Sequence, residues 1–473
     1  METKTENPLR ALPAVGEFLA SPPGQRLAAE FGEGLTKLEL RNVLAEIRAQ
    51  LRANMTQTPP NRDQTTLNLD QIESKIATRL RRSTPAGRHA INATGILLHT
   101  GLGRAPMGPA ALAALAAAAG TTPLQASLDS GDRSLREERV QALLRELIGC
   151  QAATVVNNNA AATMLILNTL APGKEVIISR GQLIEIGGSF RMTDVMAQSG
   201  AILREVGTTN RTHLRDYQAA IGERTGAVIH VHTSNYRIRG FASTPPIADL
   251  VALAKKHNLP AIDDLGSGAL VPLTPWGLPD EPLVRDSLAA GAAIACFSGD
   301  KLICGPQCGI IAGTQAAIDA IRKNPFARMF RVCKLTLAAL EATLLEFLNN
   351  TYRQNLPLYQ MLDRPLATLE TTTAEIAAAL RPIDGLSVET AEDISYIGSG
   401  SIPDEGIPTR TVHLHHAHIP AGDLARRLRL HVPPIFTRLA DKDLIIDART
   451  LREGDVAEII AAVRAVTADK GSM

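Results

Sequence analysis

The chain has 473 residues, of which 45% are hydrophobic and 21% charged, and a formal net charge of +1 at pH 7. This is globular composition spread over about three domain-sized stretches, and it excludes a disordered, fibrous or polybasic chain. No apolar run is long enough to cross a bilayer, and the opening METKTENPLR lacks the apolar core of a secretory signal, so a cytoplasmic protein without membrane partners is expected.

Residues 1–85 carry helical patterns. In GLTKLELRNVLAEIRAQLRANM apolar residues recur at three and four, the pattern breaks at TQTPPNRDQTT with Pro59 and Pro60, and LDQIESKIATRLRR resumes it. Arg79, Arg81 and Arg82 read as a solvated basic face. From about residue 90, β-branched runs (ATVV, EVIIS, AILREV, AVIHVHT, PAIDDL, AAIACFS) alternate with helical ones such as AAATMLILNTLA and IADLVALAKKHN. That alternation predicts an α/β domain over 86–345, with a mostly parallel sheet and ligands at the carboxyl ends of its strands.

A long helix, KLTLAALEATLLEFLNN, leads into residues 346–473, where strands TRTVHLHHAH and KDLIIDAR mix with helices AGDLARRLRL and DVAEIIAAVRAV, as in a small α+β domain. Within HLHHAH only His413 and His415 share a strand face, and no Cys or acidic residue nearby in sequence completes a metal site. Five cysteines, an odd number, fit a reducing compartment. Cys304 and Cys308 lack the second ligand pair of a zinc centre, so no metal is expected.

The chemistry-bearing residues follow the strands. Asn157, Asn158 and Asn159 lie between a strand and a helix, where side-chain caps and free amides make an anion site. Ser234 and Asn235 end another strand and suit either a phenolic oxygen or a turn. Asp264 ends PAIDDL, and a strand-end carboxylate is costly unless it meets a cation such as the protonated ring nitrogen of pyridoxal phosphate. Asp263 should point to the other face.

Lys301, in CFSGDKLICGPQCGII, is a lone lysine in an apolar setting. A dry pocket lowers a lysine pKa as an internal aldimine requires, and Ser298 could hold the cofactor phosphate. A structural pair between Lys301 and Asp300 is the rival reading. Arg104 sits on a Gly-rich turn, while Arg328 and Arg331 are spaced to share one face of a helix; converging arginines would recognise an oxyanion.

The stretches INATGILLHTGLGRAPM, VNNNAAA, KEVIISRGQLIEIGGSFRMTDVM, EVGTTNRTH, VHTSNYRIRGF, DDLGSGAL, FSGDKLICGPQCGII and LTLAALEATL resemble the bacterial selenocysteine synthases, the L-seryl-tRNA(Sec) selenium transferases, in family order. The resemblance implies a fold-type-I pyridoxal-phosphate-dependent transferase with an N-terminal helical domain that binds tRNA and a C-terminal small α+β domain. It implies conversion of seryl-tRNA(Sec) to selenocysteinyl-tRNA(Sec) through a dehydroalanyl intermediate, with selenophosphate as donor.

It further implies Lys301 as the aldimine lysine, Asp264 as the ring-nitrogen partner, Arg104, Arg328 and Arg331 as donor-binding arginines, and a homodecamer built as a pentamer of dimers. Gly101 stands where the family usually has Asn, Cys304 and Cys308 where it has small residues, and Cys333 where an acidic residue is common. The sequence does not identify the residue that stacks on the cofactor ring; Glu185 or a neighbour in RGQLIEIGG is one position open to it. The alternatives are a related lyase acting on a small amino acid or amino sugar, and a non-catalytic tRNA-binding protein.

Overall fold

The computed structural model of the protein describes residue 9 and residues 12–55, 69–83, 89–186, 190–238, 240–278, 281–398, 402 and 405–468. The polar stretch with Pro59 and Pro60 lies outside them. The chain divides into two compact units: Met1–Thr94 with Glu370–Ala391 and Arg410–Met473, and Gly95–Leu369 with Glu392–Thr409. Residues 346–369, assigned with the C-terminal part in the sequence reading, thus belong to the unit that carries the large sheet.

That sheet has seven strands: β1 (Ala152–Val156), β2 (Glu175–Ser179), β3 (Ile202–Val206), β4 (Thr225–Val231), β5 (Ala261–Gly266), β6 (Ile294–Ser298) and β7 (Gly309–Gly313), in spatial order β1-β7-β6-β5-β4-β2-β3. Every residue of β1, β2, β6 and β7 is buried, so these strands read as continuous apolar runs rather than alternating ones. Strands β2 to β6 pair in parallel, whereas β7 runs antiparallel to both β1 and β6. Residues 299–308 are too few for a covering crossover, so the chain returns antiparallel; β7 is absent from the strands expected from sequence.

Register positions the site. Val231 lies opposite Asp264, and Asp264 opposite Cys296, so the loops leaving β4, β5 and β6 emerge together at one edge. Asn158 caps the helix Asn159–Leu170 by accepting the Ala161 N–H at 2.8 Å, which brings that helix N-terminus to the same edge. The helix Lys334–Leu348 buries Leu337, Leu340 and Leu344 in the core on one side of this sheet.

In the other unit, helices Pro22–Phe31, Glu33–Met55 and Leu69–Ser83 share a core that includes Leu27, Leu44, Ile47 and Ile76. Arg79 is not simply solvated, because it pairs with both Glu39 and Glu46. A five-stranded sheet has the order Ile91–Ala93, Ile435–Ala440, Asp443–Asp447, Gly406–His416, Leu386–Tyr396.

His413 and His415 have no acidic neighbour close in sequence. Strand pairing supplies one, since Asp443 lies 3.5 Å from the Nδ1 of each. Among the described residues no group of three or more His, Cys, Asp or Glu side chains is arranged to hold a metal ion.

Candidate active site

A cleft of about 220 Å³ opens at the carboxyl edge of the large sheet, and its walls include Arg104, Asn158, Asn159, Ser234, Asp264, Ser298 and Lys301. Asp264 is buried, and both carboxylate oxygens are held: Asn159 Nδ2 donates to Oδ1 at 2.7 Å and the Thr163 hydroxyl donates to Oδ2 at 2.8 Å. Asp263 faces away from the cleft, its oxygens taken by His230 Nδ1 at 2.7 Å and by the Ser287 hydroxyl. Strand alternation separates the two aspartates.

Burial pushes the Asp264 carboxyl above its ordinary range, while the bonds from Asn159 and Thr163 and the charge of Lys301 pull the other way. A carboxylate anchored by two donors but short of charge compensation fits a cationic ring nitrogen. Burial, then the neighbouring Arg104, holds Lys301 below the ordinary lysine range, opposed by Asp300, Asp264 and Glu281. The carboxylate of Asp300 is occupied by Arg104, with Nη1 to Oδ2 at 2.7 Å, rather than by Lys301.

Three features fit pyridoxal phosphate here. Gly266 has φ +63°, and a Cβ there would stand 3.3 Å from Ser234 Oγ and 3.9 Å from Lys301 Nζ, so its absence leaves room between them. Asn159 Oδ1 and Asp300 Oδ1 are buried without hydrogen-bond partners. Ser298 and the capped start of the Asn159–Leu170 helix face the same space, a donor set suited to a phosphate.

Other candidates lie elsewhere. Asn157 is exposed and donates its N–H to Phe330 O at 3.0 Å. Asn235 Nδ2 donates to Glu185 O at 2.8 Å, and Asn235 is not on the cleft wall. Arg328 and Arg331 are exposed and do not line the cleft. They share no helical face either: the helix Pro325–Met329 ends before Arg331, which forms a bridge with Val156 beside the Asn-rich loop.

From RGQLIEIGG it is Ile184 that reaches the cleft, whereas Glu185 pairs with Arg191 at 2.7 Å. Cys308 lines the wall with its thiol pKa raised by burial, and Cys304 donates to Pro106 O at 2.9 Å. Sequence reading missed Thr163, His232 and Glu281. Thr163 stands four residues after Asn159, one turn along the same helix face, and that spacing could have revealed it.

The architecture and this cleft define a fold-type-I pyridoxal-phosphate enzyme, and the fold is similar to that of D-glucosaminate-6-phosphate ammonia-lyase, with a TM-score of 0.57 and 21% identity over 80% of this chain and 96% of that one. The family model for L-seryl-tRNA selenium transferase matches residues 90–452, and the model for the selenocysteine synthase N terminus matches residues 9–48.

The chain is 46% identical over 382 residues to the L-seryl-tRNA(Sec) selenium transferase of Alkaliphilus metalliredigens, covering 80% of this chain and 82% of that one. It is 42% identical over 468 residues to the enzyme of that name from Nitratidesulfovibrio vulgaris, covering 96% and 98%. The chain belongs to the L-seryl-tRNA selenium transferase family.

Proposed function

We propose that this chain converts L-seryl-tRNA(Sec) to L-selenocysteinyl-tRNA(Sec), with selenophosphate as the selenium donor. The observation that carries the reading is the meeting of Lys301 and Asp264 in one cleft, in a chain whose family membership extends over both that cleft and the N-terminal helices. Bound pyridoxal phosphate supplies an electron sink for the carbanion formed at the seryl α-carbon.

Lys301 would anchor the cofactor and take the seryl α-proton; a lysine whose pKa is lowered by burial is suited to both tasks. Asp264, fixed by Asn159 and Thr163, keeps a proton on the cofactor ring nitrogen. Ser298, Asn158 and the amides at the start of the Asn159–Leu170 helix hold the phosphate, and Ser234 bonds the phenolic oxygen. Asn157 and Asn235 act from outside the cleft wall, by shaping these loops.

Arg104, Arg328 and Arg331 recognise selenophosphate and neutralise its charge as selenium is transferred. Residues 1–85 bind the tRNA, and the active form is a cytoplasmic homodecamer, a pentamer of dimers. Removing residues 1–85 should abolish tRNA affinity and leave cofactor binding intact; tRNA affinity that persists would contradict the assignment of that domain.

Mass analysis of the aminoacyl group tests the function. Without selenophosphate the seryl group should lose water, and with it selenium should be gained. An unchanged seryl mass after incubation with folded, cofactor-loaded protein would overturn the reading.

A further inference from the structure

The cleft holds a second proton-handling arrangement that the roles above leave unused. His232 directly follows β4, its N–H donates to Asp264 O at 2.8 Å, and its side chain lines the cleft. Its Nε2 lies 3.3 Å from Oε1 of Glu281. The Glu281 side chain is only 1% exposed, and that Oε1 has no hydrogen-bond partner.

A buried carboxylate oxygen without a donor is costly, and the imidazole ring beside it is the group placed to compensate it. The other charged groups around the cleft are Lys301, Asp264 and the Arg104–Asp300 pair, and along its own strand lies His230, paired with Asp263. Asp264 is held by Asn159 and Thr163 and Asp300 pairs with Arg104, while Glu281, which also feels the charge of Lys301, has its direct contact with His232.

Resting on the selenium-transferase reading, we propose that His232 is a catalytic acid that gives its proton to the departing seryl β-hydroxyl, and that Glu281 is the residue that positions it. Lys301 takes the α-proton, and the electrons of that C–H bond become the second carbon–carbon bond. The β-carbon–oxygen bond breaks with its pair on oxygen, the oxygen takes the proton from the His232 ring, and water leaves. The ring recovers its proton from solvent. With Lys301 as base and His232 as acid, the α-proton and the hydroxyl leave through two different groups of the same cleft.

The test compares cofactor-loaded wild type, His232→Gln and Glu281→Gln on tRNA(Sec) charged with serine and with β-chloroalanine, in D2O. Chloride leaves without a proton. His232→Gln should lose hydroxyl about 100-fold or more slowly, in the range found when a general acid is removed, yet expel chloride at close to the wild-type rate. Seryl-tRNA recovered from it should carry deuterium at the α-carbon, because Lys301 still works.

Glu281→Gln should also slow hydroxyl loss while chloride loss stays close to the wild-type rate, because the ring is no longer held in place; this arm decides the matter if His232→Gln does not load cofactor. Equal slowing of hydroxyl and chloride loss, or no slowing of either, overturns the proposal. A wild type inert on both tRNAs would instead remove the function it rests on.

Discussion

The hydroxyl of Thr163 donates to Oδ2 of Asp264 across 2.8 Å, and this bond, with the one from Asn159, fixes the carboxylate on the cleft wall. A hydrogen bond to a charged group contributes about 1.5–3 kcal/mol, so Thr163→Val should weaken pyridoxal phosphate binding about 10- to 100-fold. Spectrophotometric titration of the apoenzyme measures this. Unchanged affinity would mean that Asn159 alone holds Asp264.

Asp264→Asn should have opposite effects on the apoprotein and on the holoenzyme. The folded carboxyl is raised by burial, so its contribution to stability is fully present below the ordinary unfolded range, about pH 4, and is lost as pH rises through the folded value. Raising the pH therefore increasingly disfavours the folded apoprotein. The Asn variant should be the more stable apoprotein by about 1–3 kcal/mol at pH 8, the difference shrinking toward pH 4, while binding cofactor more weakly. Urea melts at the two pH values give the sign.

Lys301 should react with pyridoxal phosphate at a pH where an ordinary lysine is still an ammonium ion. Its pKa is lowered, chiefly by burial and then by Arg104, and only the neutral amine attacks an aldehyde. The rate of cofactor attachment should rise with pH through a midpoint below the ordinary value of about 10.4. Stopped-flow absorbance reports it, and a midpoint at the ordinary value would place Lys301 in a wetter site than the one described.

Arg328→Ala and Arg331→Ala should slow selenium uptake more than loss of water from the seryl group. Both side chains lie outside the cleft wall, Arg331 bridging to Val156 beside the Asn-rich loop. Timing the two half-reactions separately checks this. An equal loss in both would assign these arginines to tRNA or to the fold.

Much of the site was legible because its residues cluster at the ends of short buried runs. Asn158, Asp264, Ser298 and Lys301 lie at or just past the carboxyl ends of β1, β5 and β6, and parallel strands gather such positions at one edge. Less legible was whatever depends on pairing across long separations. Glu281 carries no local signal of burial, and nothing near His413 in sequence announces Asp443 on the next strand. Arg331 was misread because its spacing from Arg328 suits a helix, and bridging to Val156 draws it into extended backbone instead. Strand β7, GIIAG, was hidden because it follows GPQC and is bounded by glycines, which mask a run that the sheet core makes a strand.

Conversion of radiolabelled seryl-tRNA(Sec) by the purified protein with selenophosphate, beside seryl-tRNA(Ser), tests the central claim most directly. The account predicts labelled selenocysteinyl-tRNA from tRNA(Sec) alone, and none from a Lys301→Ala enzyme. Folded, cofactor-loaded protein that leaves both seryl-tRNAs unchanged, or a Lys301→Ala enzyme that still turns over, would contradict it.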